Sequence, residues 1–130
     1  MPKEALNPET IHRPVGGYSH VVIAPAGRLA FIAGQVGVDQ EGNIVGKGDM
    51  TAQFRQSLEN LKAAAEAAGG SLDDIVSITV FVTDIEQFAA TSQVRREHFK
   101  PPYPASTLIQ VSRLAHPDLL IEINAVIALG

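Results

Sequence analysis

The sequence predicts an α+β fold in which two helices cover one face of a mixed β-sheet. Three observations carry this prediction: a long amphipathic helix pattern, an alternating strand soon after it, and β-rich segments near both ends of the chain. The chain has 130 residues, of which 45% are apolar, and a chain of this size can bury a core of its own. We therefore expect a single domain that spans residues 1–130.

The first predicted elements are short strands. Residues 20–23 and 28–34 flank a Pro-Ala-Gly sequence at 25–27, and this arrangement favours a hairpin. Residues 40–43 predict a further turn, which leads into a short strand at 44–45.

A long amphipathic helix is predicted over residues 50–68. Asp49 precedes the helix as its N-cap, and Gly69 and Gly70 end it, because glycine readily adopts the positive φ of a helix C-terminus. Four apolar residues recur at helical spacing: Phe54, Leu58, Leu61 and Ala65. This periodicity predicts one buried face.

Three more strands are predicted, at 75–83, 106–111 and 119–129. Their side chains alternate between the two faces of the sheet. The face away from the helices then carries apolar residues such as Phe81 and Val126, where charged residues would be usual. We therefore expect other subunits to cover this face, so that the protein is an obligate homo-oligomer.

A second helix is predicted over residues 85–99. Asp84 is its N-cap, and Pro101 prevents its continuation. Three residues are expected on its inner face: Ile85, Phe88 and Phe99.

Composition and charge argue against several classes of function. The formal net charge is −4 and basic residues are not clustered, which disfavours nucleic-acid binding. No apolar run approaches the ~20 residues of a membrane-spanning helix, and no secretion signal is visible, so we expect a cytoplasmic protein without a membrane partner. The chain has no cysteine, so its chemistry has to use oxygen, nitrogen or water.

Glu122 is the most informative charged residue, because it lies in the middle of an apolar strand. A carboxylate there is costly unless it is paired or solvated. One interpretation is structural: the charge prevents unwanted pairing of an edge strand, or it forms a salt bridge. The other is functional: Glu122 is a general acid or base that acts on a bound water. Tyr18 follows two glycines and either serves a site or belongs to an interface. Gly34 has little bulk, which lets backbone N–H groups approach a ligand.

Motifs of other chemistries are missing. The four histidines lack the spacing of a metal pair, so no metal site is predicted. No G-x-S-x-G motif is present, which disfavours a serine hydrolase. Arg95, Arg96 and Arg113 are expected to be solvated or packed against the fold.

Six segments together carry a family resemblance: GGY at 16–18, FIAGQVGV at 31–38, QSLENL at 56–61, IV to VFVTD across 75–84, YPAS at 103–106 and IEI at 121–123. In this order, and over nearly the whole chain, the sequence resembles the YjgF/RidA/L-PSP family. The resemblance implies a chorismate-mutase-like fold and a homotrimer with small-molecule pockets at its subunit interfaces. It also implies hydrolysis of reactive enamines and imines to keto acids and ammonia, with no cofactor or metal.

The resemblance assigns roles to three matching residues. In the family an arginine binds the substrate carboxylate, while a water held by a glutamate attacks the imine carbon. Glu122 matches that glutamate, Tyr18 the pocket tyrosine, and Gly34 the glycine that donates its backbone N–H.

Four positions of the implied pocket depart from the family pattern. Ser106 stands in place of the carboxylate-binding arginine, Leu108 in place of a cysteine, Ala33 in place of a serine, and Ser92 in place of an asparagine. A buried bidentate contact between arginine and carboxylate is worth about 2 to 5 kcal/mol. Its loss argues against hydrolysis of small 2-imino acids in the family's usual manner.

Two hypotheses about function follow. In the first, the protein hydrolyses a different enamine or imine, such as an aminomuconate-like or amide-bearing compound. Ser106, or a relocated basic residue such as Arg95, Arg96 or His20, then replaces the missing arginine. In the second, the trimer is a non-catalytic small-ligand binder or a chaperone-like module. A ribonuclease finds no support in a chain without a basic stripe or clustered aromatic residues.

Overall fold

The structure is a computed structural model that describes residues 3–25 and 27–129. The strands of the described residues are β1 (Glu4–Leu6), β2 (Val21–Ile23), β3 (Arg28–Val36), β4 (Ile75–Val82), β5 (Ala105–Gln110) and β6 (Ile121–Leu129). The helices are α1 (Met50–Ala67), α2 (Ile85–Ala89) and α3 (Ser92–His98), and a short 3₁₀ helix over Leu72–Asp74 leads into β4.

Four strands form the main sheet, in the order β3-β6-β4-β5. β6 is antiparallel to both of its neighbours, whereas β4 and β5 are parallel. The sheet is therefore mixed, and the predicted α+β fold is confirmed. Among the described residues, no helix is long and apolar enough to cross a membrane.

The predicted hairpin between residues 20–23 and 28–34 is wrong. β2 pairs with β1 in a separate two-stranded sheet, and β3 pairs with β6. A three-residue strand carries too little side-chain pattern to specify its partner. Ala26 of the predicted turn lies outside the described residues. The short strand expected at 44–45 is reduced to an isolated bridge between Val38 and Ile44.

α1 begins and ends close to the predicted residues. The carboxylate of Asp49 accepts a hydrogen bond from the Ala52 N–H at 3.1 Å, which confirms the N-cap. Gly69 follows the helix with a φ of +94°, as expected for a residue that ends a helix. The predicted inner face is buried and packs against β3 and β6: Phe54, Leu58, Leu61 and Ala65.

The predicted helix over 85–99 is instead divided into α2 and α3 at Thr91. The N–H and the Oγ1 of Thr91 both donate to the carbonyl oxygen of Phe88, at 2.9 and 2.6 Å, in a tight turn. Phe88 and Val94 would lie about 120° apart around one continuous helix. The break lets both side chains pack toward the same core.

The inner faces of α2 and α3 are only partly as predicted. Phe88 packs on Phe54 of α1 with 5.2 Å between ring centroids, and Phe99 is buried. Ile85 was expected inside, but it is 39% exposed, because it lies at the first residue of a five-residue helix that borders a cavity.

The other face of the main sheet is open in the single chain. Strand neighbours place Phe31 beside Val126, and Ile109 beside Phe81, on this face. Three large apolar side chains are the most exposed there: Phe31 at 77%, Leu29 at 49% and Ile109 at 38%.

Candidate functional site

A cavity of about 510 Å³ lies between β5, the α2–α3 segment and the loop before β2. Four of the predicted site residues line it: Tyr18, Ser92, Ser106 and Leu108. Most of its other walls are apolar, with Phe54 and Phe88 among them. The structure therefore brings together, in one cavity, residues that lie far apart in the sequence.

The register of β5 explains why Ser106 and Leu108 face this cavity. In the parallel pair of β4 and β5, Ser106 lies beside Ile78 and Leu108 beside Val80. Ile78 and Val80 are buried under the helices, and paired residues share a face of the sheet. Because β5 is the edge strand, Leu108 remains 42% exposed.

Hydrogen bonds to the segment before β5 hold Tyr18 in place. The neighbouring Ser19 is buried; its Oγ donates to the Tyr103 carbonyl oxygen at 2.6 Å and its N–H to that of Pro104 at 3.0 Å. The Tyr18 ring meets the His20 ring edge to face, with 5.8 Å between centroids. Tyr18 is half-buried and reaches the cavity wall.

Glu122 lies on the opposite face of the sheet. It pairs with Phe81 on one side and with Val36 on the other. Phe81 follows Val80, and successive side chains of a strand point to opposite faces. Since Val80 lines the cavity, the Glu122 carboxylate points away from it, onto the open apolar face.

Gly34 lies against Glu122 at an irregularity of β3. The register shifts between Ile32 and Gln35, so that Ala33 and Gly34 form a β-bulge opposite one residue of β6. A Cβ at Gly34 would lie 2.5 Å from Cδ of Glu122, so only glycine allows the carboxylate to lie there. A bulge disturbs the ladder locally and frees backbone groups.

The predicted site residues therefore fall into two groups. Tyr18, Ser92, Ser106 and Leu108 form a cavity side, and Glu122, Gly34 and Ala33 form a carboxylate side. A half-buried carboxylate beside the exposed bulge residues Ala33 and Gly34 can hold a water molecule and accept its proton. Among the described residues, no three His, Asp or Glu side chains are placed to hold a metal ion.

Arg95 contributes to the cavity more directly than its sequence position indicates. It lines the cavity, and its Nε–H and Nη2–H both donate to the Gly17 carbonyl oxygen, at 3.2 and 2.9 Å. Its guanidinium lies 5.6 Å from the centroid of the Phe99 ring. Burial lowers the pKa of Arg95, and the nearby Tyr103 opposes this effect.

One signal in the sequence could have found Arg95. It follows Ser92, the residue at the family's asparagine position, by three residues, and such residues share one helix face. Arg96 lies instead at an adjoining cavity of about 410 Å³, and the His20 ring meets the Tyr18 ring edge to face. Of the relocated basic residues considered, Arg95 alone lines the main cavity within the described part of the chain.

Known proteins are similar to this chain over almost its full length. The family model described as Endoribonuclease L-PSP matches residues 10–129. A RutC family protein of Pyrococcus horikoshii is 43% identical over 124 residues, which are 95% of this chain and 96% of the relative.

Two solved structures show the same fold. A Rid family protein of unknown function from Yersinia pestis superposes with a TM-score of 0.90 at 36% identity, over 99% of this chain and 100% of that one. Escherichia coli TdcF, solved with bound serine, gives a TM-score of 0.72 at 37% identity, over 90% and 91% of the two chains. The family resemblance of the six sequence segments is thus confirmed, and the chain belongs to the YjgF/RidA/L-PSP family.

Proposed function

We propose that this protein hydrolyses an enamine or imine, at sites formed between the subunits of a homotrimer. The observation that carries the proposal is the Glu122 carboxylate, half-buried on an apolar strand face and fitted against Gly34. A carboxylate in that position without a structural ion pair in the described residues is suited to act on a water.

The reaction needs no group beyond these side chains and water. Glu122 accepts a proton as the oxygen of water bonds to the imine carbon, and it then donates this proton to the imine nitrogen. The resulting carbinolamine loses ammonia as its hydroxyl proton returns through Glu122, and a carbonyl forms. One imine and one water thus give one keto compound and one ammonia, with Glu122 regenerated.

The two sides of the candidate site explain why we propose subunit interfaces. One chain places Tyr18 and Glu122 on opposite faces of its sheet. A neighbouring copy that packs on the open face can bring its own cavity side against Glu122. The exposure of Phe31 at 77% supports such an assembly, because large apolar patches on a surface mark interaction sites.

The ligand is proposed to be a small molecule with amino-acid character. The Escherichia coli TdcF structure holds serine, and that protein is 37% identical to this chain over the aligned residues. Cleavage of RNA is not proposed, because the net charge is −4 and affinity for a phosphate backbone needs clustered cations.

Trapping of the imine tests the hydrolysis. 2-Imino-4-methylpentanoate, whose side chain is larger than that of 2-iminobutyrate, is generated in situ, and its loss is followed by reaction with semicarbazide for wild type, Glu122→Gln and the surface control Glu41→Gln. We expect wild type and the control to accelerate hydrolysis, and Glu122→Gln to lose about 10²-fold or more of that rate. An equal rate for wild type and Glu122→Gln would contradict the role of Glu122.

Mixed trimers test the interface. Tyr18→Phe and Glu122→Gln are unfolded and refolded together in equal amounts. If the two residues of each site come from different chains, about a quarter of the sites regain both, and activity returns to about a quarter of the wild-type level. If both residues of a site come from one chain, the mixture stays as inactive as its components.

A non-catalytic ligand-binding trimer is the second candidate. Ser106 and Leu108 give the cavity wall no charged group from β5. Ligand binding by a wild-type protein that hydrolyses imines no faster than buffer would favour this candidate.

A further inference from the structure

We propose that Arg95 is the specificity-determining residue of the cavity, and that it selects ligands with an anionic group attached to an apolar body. This inference deepens the proposed function by naming its substrate class: imines of acids whose side chain is larger than that of 2-iminobutyrate.

The charge of Arg95 has no carboxylate partner among the described residues. Within residues 3–25 and 27–129, no carboxylate lies within 4 Å of its guanidinium, whereas Lys47, Arg55 and Lys100 each have one. Arg95 is also the charged residue of the cavity wall in that part of the chain. Burial lowers its pKa, and an anion in the cavity would offset this loss of hydration.

The guanidinium is held ready for an anion. Two of its five N–H groups donate to the Gly17 carbonyl oxygen, and the Phe99 ring lies against its face. Three N–H groups remain, which are enough for a paired contact with one carboxylate. Fixing the side chain before the ligand arrives reduces the entropy lost on binding.

The rest of the cavity specifies the body of the ligand. Phe54, Val80, Phe88 and Leu108 give it apolar walls, and its volume of about 510 Å³ lies in the range of sites for molecules larger than a four-carbon acid. Arg95 also borders the adjoining cavity with Arg96 and Tyr103. The anion therefore lies where the two cavities meet, and the apolar body extends toward Leu108.

Calorimetric titration with two matched probes tests this inference on the full chain. The probes are 3-phenylpropanoate and its neutral amide, 3-phenylpropanamide. We expect wild type to prefer the acid, and Arg95→Gln to lose about 10- to 100-fold of that preference, because one charge-assisted paired contact is removed. The glutamine amide can still donate to the Gly17 carbonyl oxygen, so the loop keeps an anchor.

Two controls separate the charge from the architecture. Arg113→Gln removes the same charge from an exposed arginine that lines neither cavity, and is expected to keep the preference for the acid. Arg95→Lys keeps a cation and is expected to retain part of the preference. If Arg95→Gln weakens both probes equally, or if wild type binds the amide as well as the acid or binds neither, the inference is wrong.

The titration also distinguishes this inference from the proposed function. If wild type shows the Arg95-dependent preference but hydrolyses no imine, the anion site stands and the proposed hydrolysis fails.

Discussion

Replacing Gly34 by alanine tests whether the position of the Glu122 carboxylate matters. Gly34 has no positive φ, so its backbone accepts alanine. The new Cβ would lie 2.5 Å from Cδ and 2.7 Å from Cγ of Glu122, whereas carbon atoms in contact prefer roughly 3.5 to 4.0 Å. The carboxylate therefore has to move by about 1 Å.

A shift of this size is expected to lower the rate of hydrolysis strongly and the free energy of unfolding only slightly. Displacing a reacting group by about 1 Å costs roughly 10²-fold in rate. The end of a glutamate side chain can rotate away, so we expect a loss of only about 1 kcal/mol in the free energy of unfolding. Gly34→Ala should thus fold, assemble and bind ligand, and still hydrolyse imines about 10²-fold more slowly.

Imine trapping and denaturant unfolding measure the two effects on the same preparations. The double variant Gly34→Ala with Glu122→Gln provides the control, because residues that act through one contact are not additive. We expect Gly34→Ala to cause no further loss of hydrolysis rate once Glu122 is glutamine. A wild-type rate for Gly34→Ala, or an equal loss of rate in both backgrounds, would refute the reasoning.

Two further predictions concern assembly and stability. Phe31→Lys should dissociate the proposed homotrimer without unfolding the chain, since Phe31 is 77% exposed in the single chain and its burial between subunits would contribute about 1.5 to 3 kcal/mol per contact. Analytical ultracentrifugation would then show monomers, and an unchanged oligomer would place the interface elsewhere. Gln53→Ala should lower the free energy of unfolding by about 3 kcal/mol. The side chain of Gln53 is bonded to the Leu120 N–H at 2.8 Å and to the Asp118 carbonyl oxygen at 2.9 Å, and alanine leaves both groups without that partner. Urea unfolding that matches wild type would contradict this prediction.

The elements that the sequence predicts well are those whose signals are local. α1 has a cap, a helical repeat and a glycine stop within about twenty residues, and each of these was found where expected. The pairing of β2 depends on the three residues of β1, whose sequence carries no pattern. The division of α2 from α3 depends on the packing of Phe88 and Val94 in a shared core, which no local rule describes.

The candidate site shows the same limit. The apolar residues that alternate with Glu122 on β6 are enough to predict that it faces away from the helices. The cavity side is harder to predict from the sequence, because the strand neighbours of Ser106 and Leu108 depend on the parallel register of β5 on β4. Arg95 enters the cavity through a contact with Gly17 across 78 residues, and spacing along one helix could only suggest it.

Because Tyr18 and Glu122 lie on opposite faces of the sheet, the proposed hydrolysis depends on contact between subunits. A catalytic group has to lie within about 2.6 to 3.2 Å of the atom it serves, or act through one water, and a sheet that separates two groups prevents both from reaching one small substrate. In a single chain the cavity side and the carboxylate side are each incomplete. The apolar face around Phe31 and Ile109 is exposed in that same chain. In the proposed homotrimer, the contact that buries this face would also complete the site, so loss of the homotrimer should abolish the proposed hydrolysis even when every side chain of the site is intact.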